Sequence, residues 1–145
     1  MSVRIAPGVL AEIRRHLAAA YPSEGCGFLL GTRGPNGNVV VDRELPVPNQ
    51  RAADGGERTR YLIAPDDFLT AEREARRAGL VVVGTYHSHP DVPARPSAYD
   101  TEHAWPWWCY LIASVAGGDV REERVWELRD DRSGFVEREL EVKES

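Results

Sequence analysis

The chain has 145 residues, 42% apolar and 28% charged, with a formal net charge of −5, the profile of an ordinary globular protein of one-domain length. Such a chain buries roughly two-thirds of its unfolded surface and needs no disulfide to do so. The acidic balance, with arginines scattered apart from one group at Arg73, Arg76 and Arg77, argues against a nucleic-acid partner, and no apolar run approaches the ~18 residues of a membrane span.

Met1 to Gly8 lacks the basic region and apolar core of a secretory signal, and Cys26 and Cys109 form no CxxC pair. One cytoplasmic domain over residues 1–145 is therefore expected, with both cysteines acting as small buried apolar residues. Ala6 to Ala20 reads as an amphipathic helix: Pro7 suits its first position, and Leu10, Ile13 and Leu17 recur at helical spacing. Tyr21-Pro22 ends it, since the residue before proline avoids the helical region. Gly27 to Gly31 and Val39 to Leu45 predict a hairpin across the turn Gly34 to Asn38. Pro46 to Arg58, poor in large apolar residues, predicts a loop, and Thr59 to Ala64 a strand. Pro65 to Ala78 predicts a second helix, with Asp66 and Asp67 in its first turn and Gly79 to close it. Leu80 to Tyr86 is a continuous apolar and β-branched run, the pattern of a central buried strand. Trp108 to Val115, Val120 to Leu128 and Phe135 to Val142 complete the strands. The order predicts an α/β fold in which one mixed sheet has helices packed against it.

The chemistry concentrates where the central strand runs into His87-Ser88-His89-Pro90. Residues two apart on an extended segment project to the same side, so His87 and His89 can address one atom while Ser88 points away. Asp100, in Ser97-Ala98-Tyr99-Asp100, supplies a third donor. Two histidines, a carboxylate and a water make an open tetrahedral zinc site. Each residue also has a plainer reading. Histidine pairs are common on surfaces, Ser97 and Asp100 are the cap and first turn of a helix, and Glu24 is an acidic residue in a turn.

Taken together, Glu24, His87-Ser88-His89-Pro90, Ser97 and Asp100, at these spacings, resemble the motif of the JAMM (MPN+) metalloprotease family. Pro22-x-Glu24-x-Cys26-Gly27-x-Leu29-x-Gly31 is similar to the start of its compact prokaryotic branch. The resemblance covers about residues 5 to 128. It implies a single-domain JAMM (cytidine-deaminase-like) fold, a curved mixed β-sheet packed between helices, with one Zn2+ on His87, His89 and Asp100. It also implies hydrolysis of an amide or isopeptide bond.

In that chemistry zinc activates a water, and a carboxylate that does not bind the metal, Glu24, takes its proton and later protonates the leaving amine. Ser97 offers a hydroxyl to the developing oxyanion, in competition with helix capping. Ser88 is expected to support the loop, and His103, three residues after Asp100, reads first as a solvated helix histidine and second as a substrate contact or supporting group facing the site. Both are candidate substrate-binding residues. Trp105, Trp107 and Trp108 read as core and rim packing. The family resemblance implies a small β-grasp ubiquitin-like or sulfur-carrier protein ending in Gly-Gly as the substrate; the Pro46 to Arg58 segment reads either as a plain solvent loop or as a guide for such a tail by β-augmentation. Two other readings stand beside this one: a hydrolase with Cys26 as nucleophile, and a non-catalytic scaffold or binding module.

Overall fold

A computed structural model describes residues 2–48 and 63–144. It contains β1 (Ser2–Ile5), α1 (Pro7–Ala20), β2 (Cys26–Arg33), β3 (Val39–Val47), α2 (Pro65–Arg77), β4 (Val81–Pro90), α3 (Ala98–His103), β5 (Cys109–Ala116), β6 (Asp119–Leu128) and β7 (Phe135–Val142). The strands run in the order β1-β3-β2-β4-β5-β6-β7 and close into a barrel. Pairing is parallel where β1 meets β3 and β7 and where β4 meets β5, and antiparallel elsewhere. The sheet is thus mixed and strongly curved, as expected, with helices on two faces.

The stripe Leu10, Ile13 and Leu17 of α1 is buried against one face, among Val3, Leu29, Val41, Val83, Tyr86 and Leu111. On the other face Ala71 and Ala75 of α2 bury Phe28 and Leu30. Truncating a buried leucine of this kind costs about 2–5 kcal/mol, so each helix is held by packing more than by its own propensity. Neither α1 nor α2 has a side-chain N-cap; both begin with proline, whose missing N–H suits the first turn. Gly79, at φ 74°, closes α2 in a conformation that side chains with a Cβ rarely adopt.

Four expectations from the sequence change. β1 was not anticipated, although it completes the ring. β4 does not stop at Tyr86 but continues through the histidines to Pro90. β3 runs on through Pro46 and Val47, so the expected loop begins later. Residues 49–58 of that loop, and 59–62 of the expected strand at Thr59 to Ala64, lie outside the described residues. Ile63 and Ala64 are not in a strand. No helix among the described residues is long and apolar enough to cross a membrane.

β4 is central because close approach is built into it. A Cβ on Gly84 would lie 1.8 Å from the Cys109 carbonyl oxygen, so only glycine permits this contact with β5. A Cβ on Gly27 would lie 2.4 Å from the Tyr86 ring. These contacts hold β2, β4 and β5 in register, and that register delivers the site.

Candidate active site

His87 and His89 lie on one face of β4, paired across to Ile112 and Ser114 of β5. Both are buried, at 0% and 6% exposure. Their Nε2 atoms are 3.2 Å apart. Asp100, also buried, lies 3.2 Å from each: Oδ1 from His87 Nε2 and Oδ2 from His89 Nε2. The His89 Nδ1–H donates to the Pro93 carbonyl at 2.9 Å, which turns Nε2 toward the other two donors.

Asp100 is aimed by the first turn of α3. Ser97 is the N-cap: its Oγ accepts the Asp100 amide at 3.1 Å, and its own amide donates to Asp100 Oδ2 at 2.8 Å. This reciprocal capping box fixes the carboxylate as well as the helix end. Burial alone would raise the Asp100 carboxyl, but the pull of His87 and the hydrogen bonds from the histidines and Ser97 hold it well below the usual carboxylate range. Burial pushes the His87 imidazole down, toward the neutral form that a metal requires.

Glu24 approaches from the turn after α1. Cys26 pairs with His87, and Gly25 is tied to Ser88 by Gly25 N–H to Ser88 Oγ at 2.9 Å and Ser88 N–H to Gly25 O at 3.1 Å. That register brings Glu24 level with His89. Ligating atoms of Glu24, His87 and His89 lie within 4.8 Å of one another. The Glu24 carboxyl, 4% exposed, is pushed up to about 8, first by burial and further by the Asp100 charge, against the pull of His89. Two carboxylates thus flank the imidazoles. Asp100 contacts both nitrogens at 3.2 Å, and Glu24 shares with the two histidines the grouping within 4.8 Å.

Two imidazole nitrogens facing each other beside a carboxylate, all buried, form the donor set of a divalent metal. The residues present therefore fit a metal.

Ser88 points to the opposite side of β4 and is buried at 1% exposure against Gly25. His103 is exposed, donates from Nδ1 to the Tyr99 carbonyl at 2.8 Å and stacks on the Tyr99 ring; it does not join the metal donors. Cys26 is wholly buried, its thiol pushed up to about 12 by burial and by Glu24, which opposes a thiolate nucleophile. Thr85, two residues before His87 on the same face, is a buried polar residue that sequence reasoning passes over.

The model for prokaryotic homologs of the JAB domain matches residues 6–129. The chain is 38% identical over 97 residues to a probable TtuB-protein conjugate cleaving protease of Thermus thermophilus, a match covering 67% of this chain and 60% of that one. It is 36% identical over 110 residues to a desampylase of Haloferax volcanii, covering 75% of each. Among solved structures, a JAB1/MPN domain protein of Archaeoglobus fulgidus superposes with a TM-score of 0.58 at 22% identity, over 99% of this chain and 100% of that one, a likeness of fold. On the extent of the family match and the identity to these relatives, the chain belongs to the JAMM (JAB/MPN+) family, in its prokaryotic branch.

Proposed function

We propose that this protein is a zinc-dependent hydrolase that cleaves the peptide or isopeptide bond after the C-terminal Gly-Gly of a small ubiquitin-like or sulfur-carrier protein. One zinc per chain is held by His87, His89 and Asp100. The observation that carries this reading is the set of donor contacts at 3.2 Å. Atoms binding a tetrahedral zinc at about 2.0 Å stand about 3.3 Å from one another, so the side chains are already spaced for the ion. A closed structural site would want a fourth protein ligand, usually cysteine. The Cys26 Sγ instead faces the Val47 carbonyl at 3.8 Å.

Zinc bound there lowers the pKa of water and polarises the scissile carbonyl. Glu24 removes a proton from the attacking water and returns it to the leaving amine. A carboxyl raised by burial is a stronger base, once ionised, than a solvated glutamate. Asp100 stays anionic and oriented because Ser97 holds it. The Ser97 Oγ uses a lone pair to accept the Asp100 amide, which leaves its own proton to donate to the oxyanion.

The substrate class draws support from the two relatives, named as a conjugate-cleaving protease and a desampylase. The match spans only 60% of the Thermus protein, so the activity is carried over as a proposal. Two adjacent glycines suit a tail that must pass close to a buried metal. We read residues 1–145 as one cytoplasmic domain, consistent with two buried free cysteines.

The test is mass spectrometry of β-grasp carriers bearing Gly-Gly-X tails, and of isopeptide-linked conjugates, incubated with the zinc-loaded protein. Release of carrier ending in Gly-Gly, abolished by chelation and restored by zinc, is expected. Cleavage that survives chelation would overturn the metal mechanism.

A further inference from the structure

A cavity of about 770 Å³ opens beside the site, between β4, α2 and the segment after α3. Its walls are Phe28, Phe68, Tyr99, Trp105, Trp107 and Trp108, with Thr85 also lining it. Trp105 and Trp107 stand 51% and 60% exposed at its rim. They are not loose. The Trp107 carbonyl accepts from the Arg33 guanidinium, and the Trp105 amide donates to the Tyr110 hydroxyl at 2.6 Å.

Thr85 supplies a second, independent observation. It is 3% exposed, and its Oγ1 has no hydrogen-bond partner among the described residues. A buried hydroxyl left unpaired is unfavourable, and a ligand that brings a partner relieves it. Thr85, which lines the cavity, alternates with His87 and His89 on one face of β4, so the cavity lies next to the metal donors along the strand. Two residues of extended chain, about 6.6–6.8 Å, separate Thr85 from His87.

Strand register orients the reaction. Phe28 pairs with Thr85 and Cys26 with His87, while Gly25 is bonded to Ser88. The cavity and Glu24 therefore lie on opposite sides of His87 along the strand axis. Glu24 protonates the leaving amine, so the amine half of the substrate lies on its side and the acyl half runs toward the cavity.

We infer that this cavity is an acyl-side specificity pocket that takes a large apolar side chain from the residue just before the diglycine, with the Thr85 hydroxyl hydrogen-bonded to the backbone of the tail. This rests on the hydrolytic reading above. An extended tail with its last glycine at the metal carries the residue two before it, on the same side, to the level of Thr85. Glu72, which also lines the cavity, disfavours an acidic residue there.

The test uses the full zinc-loaded chain and synthetic seven-residue peptides ending in Leu-Gly-Gly or Asp-Gly-Gly, followed by tryptophan fluorescence. The leucine peptide should bind at least tenfold more tightly and shift the emission of the rim tryptophans. Thr85→Val keeps shape and volume and removes only the hydroxyl; it should weaken the leucine peptide three- to tenfold without lowering the thermal midpoint. Trp107→Ala, a change at the exposed rim, should abolish the preference for leucine. Equal affinity for the two peptides, or leucine affinity unchanged in Thr85→Val, overturns the pocket. Carrier fusions ending in Leu-Gly-Gly-X and Asp-Gly-Gly-X separate the two failures. Cleavage of both at the same rate removes the pocket and leaves the hydrolase, whereas selective peptide binding with neither fusion cleaved removes the hydrolase.

Discussion

Ser88 and Gly25 are bonded twice, side chain to backbone at 2.9 Å and backbone to backbone at 3.1 Å. The residue between the two histidines thereby holds the turn that carries Glu24. Ser88→Ala leaves the buried Gly25 amide without the hydroxyl it donates to, a loss of about 1–3 kcal/mol. We expect kcat to fall about tenfold or more while zinc content and KM stay near those of the wild type, and Ser88→Thr to recover much of the loss. A variant with unchanged kcat would show that Glu24 is positioned without this clamp.

Zinc should bind at one per chain, and His87→Ala, His89→Ala and Asp100→Ala should each sharply reduce occupancy by elemental analysis. Core burial on both faces of the sheet does not depend on the site, so each variant should keep its circular dichroism spectrum. Undiminished zinc in all three would refute the ligand assignment.

Glu24→Gln separates binding from chemistry. Glutamine keeps the size and an acceptor oxygen but cannot take a proton near neutral pH. General acid–base catalysis is worth about 10²–10⁴-fold, so turnover should fall by that order with zinc retained and KM little changed. That pattern places the loss in the transition state. Near-normal turnover by the zinc-loaded variant would transfer the proton-carrying role to another group.

The metal-free protein should record Glu24 in its stability. The folded carboxyl is raised from 4.5 to about 8, so folding is favoured with the proton on. That contribution is full below about 4.5 and is lost as pH rises through the window to about 8, at up to about 1.4 kcal/mol per pH unit. Metal-free Glu24→Gln should thus gain on the wild type in thermal midpoint between pH 5 and pH 8. A constant difference across that range would contradict the burial effect.

Much of this was legible in the chain itself. α1, α2 and the hairpin follow from periodicity and turn residues, and the histidines, Asp100 and Glu24 stand out by type and spacing. What was not legible is non-local. β4 runs past Tyr86 because His87 and His89 pair with β5, yet strand patterns weigh apolar residues and the histidines break the run. β1 has only Val3 and Ile5 facing the core and acquires its reason for existing from partners at the far end of the chain. The cavity escapes for the same cause, since its walls come from β2, α2, β4 and the segment around α3. Thr85 sits in a β-branched run where a threonine is unremarked, and nothing local reveals that its hydroxyl faces no partner.

The closure between β1 and β7 also shields strand edges. Ser2–Ile5 aligns with Glu139–Val142 in parallel, fastening segments from opposite ends of the chain to each other. The closure covers one flank of β1 and the Val125 to Leu128 part of β6, which would otherwise stand as free rows of amides for another molecule to template upon. The family match ends at residue 129, and β7, which seals the ring, lies beyond it. A chain cut after Leu128 would keep every residue assigned to the metal and the proton, yet expose the flanks of β1 and β6. It should lose itself to self-association, visible as concentration-dependent light scattering, before it loses its capacity to hold zinc.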